Sequence, residues 1–228
     1  MTNSAEKKNI VLVGAGIMSA TLATFIKELE PSTTITIVEM LDDCAQESSN
    51  AWNNAGTGHA ANCELNYTPL TDNGSVDISK ALQVNVEFDV SREFWSYLVE
   101  KGAITDPGAF IHSCPHMSFV WGDENVDFLR KRFDAMSAHH CYHGMVYSDK
   151  QSQISDWAPL IIEGRDSNQK VSATRIISGA DVDYGSLTHL LINHLSKNLG
   201  CSVLFKHKVS GLNRTLDNKW LVTIKSQA

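Results

Sequence analysis

The hydrophobic period changes twice within the first forty residues. Asn9 to Val13 is a short apolar, β-branched run that stops at glycine. Ile17 to Leu29 has helical composition and ends before Pro31, and Thr33 to Glu39 alternates as TTITIVE. Strand, glycine turn, helix and strand in this order predict a βαβ unit and hence a parallel sheet. Residues 42–76 have little periodicity and are rich in Asn, Gly, Ser and Thr, which predicts a long loop. Loops of that length in compact domains are usually functional or disordered.

Ile78 to Lys101 spaces Ile78, Leu82, Phe88, Phe94, Trp95, Leu98 and Val99 as a long amphipathic helix, capped by Asp77 or Ser75 and ended by Gly102. Met117–Trp121 and Val171–Ile177 are strand-like, with a basic-faced helix over Val126–Ser137 between them. A further helix over Ser186–Leu199 carries Leu187, Leu190, Leu191, Leu195 and Leu199 on one side, with Gly200 at its end. Short strands follow at Ser202–Phe205, Lys208–Leu212 and Trp220–Lys225, the last two joined by a turn at Asp217-Asn218. This order predicts an α/β fold in which a nucleotide-binding domain is interrupted. Its first part covers 1–76, a mixed α+β region covers 77–180, and its second part covers 181–228.

Charge narrows the function classes. With 19 Lys and Arg against 26 Asp and Glu, the 228-residue chain has a formal net charge of −7. That balance excludes a nucleic-acid scaffold, which needs a basic face, and there is no polybasic anchor. Hydrophobic content of 43% and charged content of 20% are globular values. Five cysteines at wide spacings, without C-x-x-C, indicate reduced thiols in a cytosolic protein. Lys7-Lys8 followed by the uncharged run Ile10–Ile26 imitates a targeting or membrane segment. The run is at the short end of the roughly 17–25 residues needed to span, and it contains Gly14 and Gly16. The βαβ unit accounts for it better.

Gly14-Ala15-Gly16-Ile17-Met18-Ser19 lies between the first strand and the helix. The first glycine permits the tight turn, and the second lets backbone approach a pyrophosphate at the helix N-terminus. Ser19, followed by Ala20, stands where the usual pattern has its third glycine; both are small enough for close helix–strand packing. Glu39 ends the second strand, where a carboxylate accepts hydrogen bonds from ribose hydroxyls and repels a 2′-phosphate. The plainer alternatives are a turn that needs glycine for geometry only, and a solvated strand-end carboxylate.

The segments GAGIMSATLA (14–23), SSNAWNNAGTGHAANCELNYTP (48–69), PHMSFVWG (115–122) and the run around DVDYGSLTHLL (181–191) resemble malate:quinone oxidoreductase, one of the amino-acid oxidase-like FAD flavoproteins. The resemblance extends from Asn9 to about Lys225. It implies a Rossmann-like FAD-binding domain interrupted by a mixed α+β substrate region. It also implies oxidation of (S)-malate to oxaloacetate in the tricarboxylic acid cycle, with electrons passed to a membrane quinone by a protein peripheral on the cytoplasmic face of the cell membrane. Gly14, Gly16, Ser19 and Glu39 would hold the ADP half of FAD. Ser49, Asn53, Asn54, Gly56 and Thr57 would lie near the flavin, and Val209 near the adenine. Members of that family are about twice as long, so the chain is expected to be an amino-terminal part that does not turn over malate by itself.

Oxidising a 2-hydroxy acid requires a base for the hydroxyl proton and a cation for the carboxylates. His59 follows the flavin-contacting segment and is the first candidate base. His116 after Pro115 is the second, and Arg175 is the candidate carboxylate fork. Each has a plainer alternative: a hydrogen-bonded supporting histidine, or a surface ion pair. His139, His140, Cys141 and His143 lack the spacing of a zinc knuckle and suggest packing at a helix end. The five tryptophans, being scattered, suggest core or ring packing rather than a stacking stripe. Two other classes remain open: another 2-hydroxy-acid or amino-acid oxidase of the same fold, such as one acting on 2-hydroxyglutarate, and a non-catalytic FAD-binding remnant.

Overall fold

The computed structural model describes residues 8–58 and 60–227. Lys7 and the candidate base His59 lie outside the described residues. The chain runs through β1 (Asn9–Val13), α1 (Ile17–Leu29), β2 (Thr34–Val38), α2 (Ser79–Glu100), β3 (Ile111–Ser113) and β4 (His116–Trp121). Next come α3 (Asp123–Ser137), β5 (Val146–Ser148), α4 (Gln151–Trp157), α5 (Pro159–Ile162) and β6 (Val171–Ile176). The chain continues through β7 (Ala180–Val182), α6 (Tyr184–Lys197), β8 (Ser202–Leu204), β9 (His207–Arg214) and β10 (Trp220–Ser226). Two compact units result. One combines the residues up to Gly56 with Ser96–Ile111 and those from Val182 onward; the other combines Thr57–Trp95 with His112–Asp181.

The first unit is built on a parallel sheet in the order β1-β2-β8. The βαβ reading of the opening residues holds, and α6 precedes the third strand. Ile35, Ile37 and Val38 of β2 are buried, as a central parallel strand covered on both faces requires. Ala20, Ala23 and Thr24 are the fully buried positions of α1, so small side chains let the helix lie close. Met18 and Leu29 of the same helix remain about four-fifths exposed. The uncharged run Ile10–Ile26 is thus divided among a strand, a turn and a helix. Among the described residues no helix is long and apolar enough to cross a membrane. α6 buries Leu187, Leu191, Ile192 and Leu195. It starts two residues earlier than its leucine spacing predicts, because Asp183 caps it: the Asp183 carboxylate accepts from the Ser186 amide at 2.9 Å and from the Ser186 hydroxyl at 2.8 Å. β9 and β10 form an antiparallel hairpin, turning at Asn218 with φ +65°.

The second unit contains an antiparallel sheet in the order β4-β6-β5. On one face Val171 and Ala173 of β6 pack with Ile154 of α4, flanked by Met117 and Phe119. Ile176 packs on the other side with Met136 of α3, Tyr142, and Ala81 and Val84 of α2. Asp77 accepts from the Ser79 amide at 2.8 Å and caps α2, one of the two caps its sequence offered. The elements that periodicity missed are short: β3, β5 and β7 have three residues each, α4 is the polar heptapeptide QSQISDW, and α5 has four residues.

Arg132 is the largest fully buried side chain of this unit and comes from the helix expected to present a basic face. It lies at helical spacing with buried Leu129 and Met136. Its Nε donates to Thr68 Oγ1 at 3.0 Å, and its Nη2 donates to the carbonyls of Ala61 and Asn62 at 3.1 and 3.2 Å. Burial pulls the guanidinium below its ordinary pKa, opposed by the nearby Tyr142, Cys63 and Glu64. The Ser118 hydroxyl of β4 donates to the Cys63 carbonyl at 2.8 Å, so helix and sheet together fix residues 61–68. Arg132→Met keeps the stem and removes every donor from these carbonyls. The variant should lose about 3 kcal/mol, the scale of breaking a buried charged network. The check is the urea midpoint followed by tryptophan fluorescence, and a midpoint equal to wild type would show that the loop is held by other contacts.

Candidate functional site

At the end of β1 the chain reverses at Gly14, whose φ of +91° only glycine adopts without strain. The Gly14 amide donates to the Val38 carbonyl at 2.8 Å, which joins the turn to the end of β2. Gly16 is the N-cap residue of α1 and has no side chain with which to cap it. The cap comes from Ser49 instead: its buried Oγ accepts from the Ile17 amide at 3.0 Å. A Cβ on Gly16 would stand 3.1 Å from that oxygen, so the second glycine makes room for the cap. Ser19 sits half-buried in the first turn of α1.

Glu39 receives two backbone donors. Its Oε2 accepts from the Ala15 amide at 2.7 Å, and its Oε1 from the Leu41 amide at 2.9 Å. The first bond fastens the glycine turn after β1 to the end of β2. The Ala45 amide donates to the Ala15 carbonyl at 3.1 Å and brings the following loop against the same turn. Cys44 in that loop is buried, and its thiol is pushed up to about 12, first by burial and then by the Asp43 carboxylate beside it.

The loop expected at the flavin is largely held by its own amides. Asn53 Nδ2 donates to the Glu47 carbonyl at 3.1 Å and Asn54 Nδ2 to the Ser48 carbonyl at 3.2 Å. Asn54 Oδ1 accepts from the Gly56 amide at 2.9 Å, and the Gly56 carbonyl accepts from the Val182 amide at 2.6 Å. Gly185 in the first turn of α6 lets this loop seat closely: a Cβ there would lie 3.3 Å from the Ser49 carbonyl oxygen. Trp52 in the same loop is 96% exposed, and Trp121 and Trp220 are more than half exposed, so Trp95, which is buried, and Trp157, which packs against the Ile154 cluster, are the two core tryptophans. Val209 is half-buried on β9, whose first residue, His207, donates from its amide to the Glu39 carbonyl at 2.8 Å.

The remaining candidates belong to the second unit. Thr57 forms an antiparallel bridge with Asp181. His116 is 8% exposed at the start of β4, and its Nε2 lies 3.0 Å from the Ala180 carbonyl. A carbonyl only accepts, so Nε2 is the donor. Nδ1 is buried and has no hydrogen-bond partner. Arg175 is half-buried on β6, with its guanidinium carbon 6.0 Å from the centre of the Trp157 ring. His116 pairs with Ile176, and Arg175 with Met117. Because strand neighbours alternate in direction, His116 and Arg175 project from opposite faces of the sheet.

The family model described as malate:quinone oxidoreductase (Mqo) matches residues 6–228. The chain belongs to this family. It is 65% identical over 226 residues to the "Probable malate:quinone oxidoreductase" of Rhodopseudomonas palustris (strain TIE-1), covering 99% of this chain and 46% of that relative. A relative of the same description from Bradyrhizobium diazoefficiens is 62% identical over 225 residues, covering 99% of this chain and 44% of the relative. The chain thus spans about half the length of these malate:quinone oxidoreductase relatives.

Among solved structures, the dithionite-reduced L-α-glycerophosphate oxidase of Mycoplasma pneumoniae with FAD bound aligns with TM-score 0.67 at 14% identity, over 98% of this chain and 51% of that one. Glycine oxidase from Geobacillus kaustophilus aligns with the same TM-score and identity, over 96% of this chain and 52% of that one. At such identities the likeness shows the fold. The α/β fold with a Rossmann-like unit expected from the sequence is therefore the fold of this malate:quinone oxidoreductase family member.

Glu39→Gln sets an amide donor against one of two backbone donors. Stability is expected to fall by about 1.5–3 kcal/mol, the worth of a charge-assisted hydrogen bond. Hydrogen exchange at the Ala15 or Leu41 amide should accelerate about tenfold or more. Unchanged protection at both amides would show that the carboxylate does not hold the turn.

Proposed function

We propose that this chain supplies the FAD-holding part and some substrate-side residues of an enzyme that oxidises (S)-malate to oxaloacetate and passes the electrons to a membrane quinone. The observation that carries the reading is the Gly14–Gly16 turn closed by the Glu39 carboxylate, in a chain matched over residues 6–228 by one family. The residues fit a dinucleotide. The first turn of α1 offers backbone N–H groups beside a glycine whose side chain would crowd Ser49. Each Glu39 oxygen accepts one backbone donor and keeps lone-pair capacity for a ribose hydroxyl. Gly14, Gly16, Ser19 and Glu39 would hold the ADP half and Val209 the adenine side. Ser49, Asn53, Asn54, Gly56 and Thr57 would hold the flavin end through backbone and loop shape.

FAD, when bound, supplies a two-electron acceptor for the hydride at C2 of a 2-hydroxy acid. The protein supplies the rest. His116, anchored through Nε2 to the Ala180 carbonyl, is a candidate base beside His59. Arg175 is the candidate carboxylate-binding cation. Delivery of electrons to a quinone implies peripheral contact with a membrane.

The chain should bind FAD saturably and turn yellow. Gly16→Val should weaken that binding at least about tenfold by blocking backbone approach, whereas a chain that takes up no flavin would sink the reading. Joined to the remaining half of the Rhodopseudomonas palustris relative, it should support malate-dependent reduction of a quinone analogue. Faster turnover of 2-hydroxyglutarate or glycine would assign the fold to another oxidase.

A further inference from the structure

We propose that Asp43, Cys44 and His189 form a binding site for a thiophilic divalent cation of the zinc class. Asp43 and Cys44 lie in the loop after β2, and His189 lies on α6. Cys44 Sγ is 3.1 Å from His189 Nδ1, which is 3.9 Å from Asp43 Oδ1. The three residues offer ligand atoms that all lie within 4.8 Å of one another. On a tetrahedral zinc ion of ordinary bond lengths, sulfur, nitrogen and oxygen donors stand about 3.3–3.6 Å apart. The two observed separations bracket that span, so seating an ion needs shifts of about half an ångström.

A second observation is independent of these distances. The three residues line a cavity of about 230 Å³, together with Ile192, Ser196 and Phe205. The cavity provides an entry path and room for a water as fourth ligand. Cys44 is buried, whereas the side chains of His189 and Asp43 are about half exposed, so the site is closed behind the sulfur and open in front. The Cys44 amide donates to Asp43 Oδ1 at 2.8 Å and holds the carboxylate in position. The donor set of one sulfur, one imidazole and one carboxylate selects zinc-like ions over magnesium and calcium, which take oxygen ligands.

Binding forms one bond each to Sγ, Nδ1 and a carboxylate oxygen. It releases to solvent the thiol proton shared between Sγ and Nδ1, and no electron changes hands. Thiolate and carboxylate together balance the two positive charges. Because the Ala45 amide bonds to the Ala15 carbonyl, the ion would tie the loop that supports the glycine turn to α6. His139, His140 and Cys141 form a rival group, but they are consecutive residues on one turn, and His139 Nδ1 already accepts the Cys141 amide at 3.3 Å.

The test uses the whole 228-residue chain, reduced and stripped with chelator, and titrated with Co²⁺ and then Zn²⁺. A single equivalent of Co²⁺ should produce thiolate-to-metal charge-transfer absorption that Zn²⁺ abolishes, and Zn²⁺ should raise the thermal midpoint. C44S and H189N should each lose the absorption and weaken Zn²⁺ binding about a hundredfold or more. C141S should match wild type. Far-ultraviolet circular dichroism of the metal-free variants checks folding, and H189N, at a half-exposed position, keeps the test decisive if C44S unfolds. Absence of the absorption in wild type, its persistence in H189N, or its loss in C141S would overturn the proposal.

Discussion

The carboxylate of Glu39 stands where β2 ends and accepts two backbone N–H groups, one from the glycine turn after β1 and one from its own loop. The backbone of the same residue donates to the Leu204 carbonyl at the end of β8 and accepts from the His207 amide at the start of β9. One residue therefore connects the ends of β1, β2 and β8 with the start of β9. Backbone N–H groups bonded to an ionised carboxylate are among the stronger hydrogen bonds a protein makes. Here they settle the position of the turn before any ligand arrives. Ser49 completes the arrangement from the far side of a long loop, by supplying the cap that Gly16 lacks.

The second unit depends on an opposite charge used in a similar way. Arg132 gathers carbonyls from residues 61 and 62 and a hydroxyl from residue 68 into a buried network. A buried guanidinium is costly to desolvate, and the bonds it makes offset that cost only while every partner is present. Such a network does more to specify one loop conformation than to add stability. It holds the carboxy-terminal end of the segment SSNAWNNAGTGHAANCELNYTP, the part of the sequence most characteristic of the family.

Much of the fold was legible in the sequence because it rests on local signals. The apolar run before Gly14, the helix before Pro31 and the alternation of TTITIVE are periodicities of one element each, and the parallel sheet follows from their order. The caps were less legible. Asp77 lies just ahead of a clear apolar pattern, whereas the leucine spacing of α6 becomes plain only at Leu187, beyond the capping Asp183. Arg132 carried a readable signal, at helical spacing with Leu129 and Met136, but its charge argued for solvent. The exposed tryptophans erred in the other direction, since large apolar area predicts burial only on average.

By itself the sequence determined the α/β class, the glycine turn with its strand-end carboxylate, and the family, because these depend on residues within one element or on a long, specific string. Only the tertiary structure decided what each polar group does. It turned Ser49 into a helix cap and Asn53 and Asn54 into loop supports. It aimed His116 and Arg175 to opposite sides of a sheet, and it brought Cys44 within 3.1 Å of His189 across 145 positions of chain. The physical reason is direction: a hydrogen bond or a coordination bond depends on where an atom points. That is set by register, pleat and helix phase once distant segments have packed, and no local pattern of residues encodes it.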